Sequence, residues 1–187
     1  ALGDDFAYAG EDKGSLLAAL NHGQYDAVVA NPPYITVKDR KLNAAYRERY
    51  SHARGKYALS VPFMELLFSL AKTCQGDRPA GWVGQITSNS FMKREFGVSV
   101  IEKFLPGKDL VEIIDSEGAW IPGHNMDGTP TSIIVGRQQA PVSPVIRTVL
   151  SEGLRESRPV GVGAGPYWRS IVEHILEPGY DDPWISV

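Results

Sequence analysis

Asn31-Pro32-Pro33-Tyr34 is the run in this chain whose residue types and order point to a particular chemistry. It follows Asp26-Ala-Val-Val-Ala30, a short apolar stretch that reads as a buried strand. Open α/β sheets bind ligands beyond the carboxyl ends of their strands, so the tetrapeptide falls where a ligand is expected. Neither proline donates a backbone hydrogen bond and each fixes its own φ, which ends the ladder, holds a rigid turn and leaves carbonyls free to accept. An exocyclic amine such as that of adenine is a poor nucleophile, because its lone pair is delocalised into the ring. The Asn31 side-chain oxygen and the Pro32 carbonyl could each accept one amine N–H, localising that pair and stabilising the charge that develops on nitrogen. A base reached in this way must leave its duplex, and the face of Tyr34 offsets about 1–3 kcal/mol of the unstacking cost. The plain alternative is a turn with a surface tyrosine.

Downstream, Lys38, Arg40, Lys41, Arg47, Arg49, Arg54 and Lys56 stand against Asp39 and Glu48, with Tyr34, Tyr46, Tyr50 and Tyr57 interleaved. A basic segment directly after the loop suits phosphate contacts that position a duplex without reading its sequence. The competing reading is a solvated helix face. The whole chain, at net charge −3, makes no global case for nucleic acid, so the local charge has to carry it.

Several elements must position these residues. Gly14 to Asn21 reads as a short helix that Ser15 helps to start and His22-Gly23 stops, ahead of the first strand. Val61 to Lys72 has one apolar face and good helix formers, and Gly81 to Thr87 has strand composition. A helical pattern over Val98 to Phe104 leads to a third strand at Leu110 to Ile114, and Thr131 to Val135 is close enough in sequence to pair with it antiparallel. The alternation predicts an α/β sheet. Beyond Arg137 the prolines at 141, 144, 159, 166, 178 and 183 leave little period apart from a helix around Ser170 to Leu176, so an extended, partly ordered tail or the start of another domain is expected.

The single cysteine, Cys74, excludes an internal disulfide framework and a cysteine-based zinc cluster, and reads as a small buried side chain near a helix end. His22, His52, His124 and His174 lack ligand spacing, so no metal site is expected. Gly118, Gly123 and Gly128 suit turns rather than a phosphate cradle. With 43% hydrophobic residues but no apolar run of membrane length and no signal-peptide pattern, the chain reads as globular and cytoplasmic.

Val28-Val-Ala-Asn-Pro-Pro-Tyr34 resembles the gamma-type amino-methyltransferases, whose Asn-Pro-Pro-Tyr or Phe motif follows the fourth sheet strand. Gly81 to Gly97, Ile114 to His124 and Thr129 to Arg137 look like the large methyltransferases of BREX and phage-growth-limitation defence, over roughly Asp4 to Arg137. The resemblance implies a partial Rossmann-like class I methyltransferase sheet: the C-terminal half, mixed, with a terminal antiparallel hairpin, over residues 1–137, ahead of the proline-rich extension or start of a following domain over 138–187. It implies adenine-specific, S-adenosylmethionine-dependent DNA methylation in phage defence or restriction-modification. Asp5, Phe6, Asn31, Pro62 and Phe63 would then face the cofactor, and Phe91 would pack the flipped base beside Tyr34. The family's glycine-rich cofactor turn has no counterpart here. A fragment without it is expected to be inactive alone and to expose a sheet edge through which it self-associates. Methylation of RNA or a protein amide, or a noncatalytic DNA-binding or assembly role among defence proteins, are the rival readings.

Overall fold

The computed structural model describes residues 13–121, 130–155 and 165–187. Helix α1 (Lys13–Ala19) precedes strand β1 (Ala27–Ala30), and helices α2 (Arg40–Arg49) and α3 (Ser60–Leu70) follow. Strand β2 (Trp82–Ser88) leads into helix α4 (Ser90–Lys93), then strands β3 (Asp109–Asp115), β4 (Thr131–Arg137) and β5 (Arg147–Ser151), helix α5 (Pro166–His174) and strand β6 (Ile185–Ser186). The strands form one mixed sheet in the order β1-β2-β4-β3-β5-β6. β1 and β2 run parallel, whereas β4 lies antiparallel between β2 and β3. The chain is thus an α/β fold with the expected antiparallel hairpin of β3 and β4, and β1 pairs with β2 alone among the described strands.

Alternation along the strands sends side chains to two faces. Val83 and Ile134 point to the face covered by α3, where Val61, Met64, Leu67 and Phe68 join Tyr57, Phe91, Phe96, Val100 and Leu105 in the main core. Ile114 and Ile133 point the other way and pack with Val149, Tyr167, Ile171 and Ile185. Gly136 lies on the α3 face, where an added Cβ would come within 3.0 Å of the Asp109 carbonyl and 3.4 Å of Phe68, so β4 passes close to its neighbours there. Towards β1 the second face is bare: Val29 is 83% exposed and Trp82 44%.

Two features depart from the sequence reading. Residues beyond Arg137 are more than a loose tail, because β5 pairs parallel with β3 and α5 and β6 complete a second core. The helical pattern expected over 98–104 is present, passing into π geometry over Val100–Phe104 and flanked by 3-10 turns at Glu95–Gly97 and Leu105–Gly107. Pro106 forbids regular continuation, and Gly97 sits so close to the Phe91 carbonyl that any Cβ would collide with it. Cys74 is exposed, not buried, because α3 ends at Leu70 and the turn beyond it leaves the core.

Candidate active site

The tetrapeptide lies just beyond the end of β1, at the sheet edge where β2 and β3 also end and β4 begins. β1 enters beside β2, with Ala30 paired to Gln85. On the way out, the Leu59 amide donates to the Ile35 carbonyl at 2.8 Å and Thr36 bridges to Ala58. The loop is therefore gripped on both sides, by β2 and by the turn that starts α3. Pro32 is buried while Asn31 and Pro33 are exposed, so Pro32 anchors the turn and the carboxamide is presented outward. The Tyr34 hydroxyl donates to Asn31 Oδ1 at 2.8 Å. Burial pushes the Tyr34 phenol up to about 12, which keeps the proton it donates at any neutral pH. Asn31 and Tyr34 thus share one locale, and the oxygen proposed to receive an amine already receives a hydroxyl.

Pro62 and Phe63 are on the first turn of α3; Pro62 is buried and Phe63 half-buried, so Phe63 has the face to offer a ligand. Phe91, 2% exposed, belongs to the main core and leaves no face for a base, so packing against its own surroundings is its role here. Asp5 and Phe6 lie outside the described residues, as do Gly123, His124 and Gly128. Gly118 serves turn geometry, with φ +96° and room for no Cβ against the Leu154 carbonyl.

The basic stretch divides in two. Asp39 caps α2 by accepting from the Leu42 amide at 2.7 Å, and α2 buries none of its residues. Lys38, Arg40, Lys41 and Arg49 are exposed, with Arg49 over the Tyr50 ring at 5.9 Å. Arg47, also exposed, is tied to its own segment: it donates to Asn43 Oδ1 at 2.7 Å and to the Gly55 carbonyl, and lies 5.7 Å from the Tyr57 ring. Tyr57 is fully buried and Tyr46 and Tyr50 pack on the core, so the interleaved tyrosines hold the segment down. Glu65 of α3 accepts from the Ser51 and His52 amides at 3.1 and 2.8 Å, tying the end of α2 to the same helix that supports the loop.

Ser88-Asn89-Ser90, at the end of β2, contributes a brace. Asn89, buried, donates to Glu117 at 2.9 Å and towards Asp115 at 3.4 Å. Hydrogen bonds from Lys93 and Asn89 hold the Glu117 carboxyl below its ordinary range against the opposing effect of burial. Among the described residues no group of three or more His, Cys, Asp or Glu side chains is placed to hold a metal. Nor is any described helix long and apolar enough to cross a membrane.

Comparison with known proteins narrows the chemistry. The family model described as Eco57I restriction-modification methylase matches residues 5–120. The adenine-specific methyltransferase PglX of Streptomyces coelicolor is 51% identical over 98% of this chain and 15% of its own length. The type II methyltransferase M.PaeR7I of Pseudomonas aeruginosa is 34% identical over 46% of this chain and 14% of its own length. The chain therefore spans about 15% of the curated relatives it matches. Among solved structures, the methyltransferase subunit of a type I restriction-modification system from Streptococcus thermophilus matches 97% of this chain and 36% of its own, with TM-score 0.51 and 13% identity, a likeness of fold.

Proposed function

This chain belongs to the Eco57I restriction-modification methylase family, and on that premise we propose that it is the amine-activating part of a site-specific DNA adenine methyltransferase. Its longer parent would transfer a methyl group from S-adenosylmethionine to N6 of a flipped-out adenine. The observation that carries the reading is the outward Asn31 oxygen accepting the Tyr34 hydroxyl 2.8 Å away, at the end of a parallel strand. In the reaction the amine N–H takes the place of that hydroxyl. The Pro32 carbonyl would take the second N–H, and the pyramidalised nitrogen would attack the methyl carbon as its bond to sulfur breaks, releasing the thioether product and then losing one amine proton to solvent. The Tyr34 ring would stack on the base.

The donor would supply an electrophilic methyl carbon. Asn31 and Phe63 are the described residues suited to line its pocket, with Pro62 behind them and Asp5 and Phe6 as further candidates. Lys38, Arg40, Lys41 and Arg49 would meet phosphates, Arg47 contributing through the fold of the segment. A DNA substrate implies a cytoplasmic setting, and phage defence, of the BREX or restriction-modification kind, is the biological role that the likeness to PglX favours.

Nucleoside analysis after incubating the full-length parent with S-adenosylmethionine and DNA, RNA or protein separates the substrates. N6-methyladenine in DNA is the expected product; methyl groups on RNA or on protein amides alone would move the activity to a rival substrate. Absence of transfer to all three, with DNA binding intact, would favour the noncatalytic role.

A further inference from the structure

The face of β2 that meets α3 ends in polar groups that the packing leaves unmatched. Gln85, Thr87 and, on β4, Ser132 are 2%, 0% and 0% exposed. Gln85 Oε1, Thr87 Oγ1 and Ser132 Oγ have no hydrogen-bond partner among the described residues. Buried polar atoms are nearly always matched, because leaving one unmatched forfeits its hydration. Three such atoms in one place call for a shared explanation.

They are in one place. Thr87 and Ser132 are directly opposite in the β2–β4 ladder, so their side chains leave the same face with Cβ atoms about 5 Å apart. Gln85 lies on that face too, one strand repeat or about 7 Å before Thr87, and its long side chain can cover the interval. Its Nε2 donates to the Ser60 carbonyl at 3.3 Å, which fixes the amide orientation and makes the oxygen the unmatched atom. That oxygen needs a donor, and the two hydroxyls can each donate or accept. One water molecule can satisfy all three, and buried waters typically make about three such bonds.

The position links this cluster to the loop. Gln85 pairs with Ala30, the residue before Asn31. Ser60, which takes its amide, follows directly on Ala58 and Leu59, the pair that holds Thr36 and Ile35 on the loop's outgoing side. Gln85 therefore reaches both ends of residues 31–34 through one side chain and one strand pairing.

We propose that Gln85 Oε1, Thr87 Oγ1 and Ser132 Oγ hold one internal water, and that Gln85, fixed by it, is a positioning residue that keeps the Asn31 carboxamide aimed. The second half rests on the reading of Asn31 as the amine acceptor; the first does not. If the three atoms were simply unmatched, replacing a hydroxyl by a methyl group of the same shape would stabilise the protein and leave its kinetics alone. If they hold a water, the same change strands Gln85 Oε1 and loosens the loop.

The decisive variant is Thr87→Val in the full-length parent, with Thr87→Ser as the hydroxyl-retaining control. The expected result is a lower melting temperature and a fall in kcat of about tenfold, as for a small misplacement of a reacting group, with KM for DNA within about twofold. Thr87→Ser restores both. Gln85→Met, which also releases Ser60, falls further. A crystal structure fine enough to show waters is expected to place one at hydrogen-bonding distance from all three oxygens. A more stable, kinetically silent Thr87→Val would overturn the proposal, as would the lack of that water. Water present with kcat unchanged would remove the positioning role. Should the parent transfer no methyl group at all, the assigned function fails, while the water density and melting shift still decide the internal site.

Discussion

The two faces of this sheet differ in how completely they are covered. The α3 face carries a continuous core from β1 to β3, and the candidate loop leaves the sheet directly above it. The opposite face has a smaller core built by β5, α5 and β6 over β3 and β4, while Val29 and Trp82 towards β1 stay exposed. The chemistry proposed for the Asn31 carboxamide would sit on the better-packed side. The bare strip beside β1 is free to meet another surface without disturbing that carboxamide.

The largest effect that could break this contrast lies in the main core. Phe68 meets Phe104 edge-on at 5.6 Å and lies against β4, so Phe68→Ala should cost about 3–5 kcal/mol in denaturant unfolding. On the other face Ile171→Val should cost about 0.5–1.5 kcal/mol. A reversal of that order would mean that the second core is the principal one.

The next effect concerns Asp109, which pairs with Arg137 at the far end of β3 and β4, on the second face. Burial pushes its carboxyl up, but the Val142 amide, Gln139 and Arg137 together outweigh burial and hold it below the ordinary value. A carboxyl lowered in the folded state adds stability that is complete above its unfolded pKa, about 3.9, and is lost as pH falls through the folded value. Asp109→Asn should flatten the loss of stability below about pH 4. At neutral pH it should cost about 1–3 kcal/mol, because Arg137 loses its partner. Unaltered acid melting curves would remove Asp109 from that role.

The bare strip makes a smaller prediction about association. We expect the isolated chain to self-associate through β1, and Val29→Lys to shift light scattering towards monomer while changing stability by no more than about 0.5 kcal/mol. Wild-type monomers at every concentration would show that this edge is inert. Smallest is the electrostatic effect: in the full-length parent, Arg49→Glu should reduce the slope of log binding constant against log salt by about one phosphate contact. Arg47→Glu should instead lower the melting temperature, since Arg47 binds Asn43 and Gly55.

Much of the better-packed side was legible in the sequence. Ala27–Ala30 stops at two prolines, α3 shows its apolar face, and β2, β3 and β4 are rich in branched residues, so local composition and tertiary pairing agree. The far side was obscured by proline. Pro166 is read most simply as a breaker, yet it occupies the first turn of α5, where no backbone donor is needed. β5 is short, and its pairing with β3 across residues 116–146 leaves no local trace. At the candidate site, the proximity of Asn31 and Tyr34 was readable because the motif is contiguous. Phe91 was not: a phenylalanine at a strand end suits a stacking platform and a core equally, and only its burial separates them. The brace from Asn89 to Glu117 and the polar cluster around Gln85 depend on register between distant segments, which composition does not encode.

The account turns on the Asn31 oxygen as an acceptor for the reacting amine. Methyl transfer to DNA by the full-length parent, measured for wild type and Asn31→Ala alongside DNA binding, tests it most directly. We predict a fall in kcat of about 100- to 1000-fold, the scale of removing one preorganised hydrogen-bonding group from an active site, with DNA affinity retained. An Asn31→Ala protein that methylates at the wild-type rate would contradict the account.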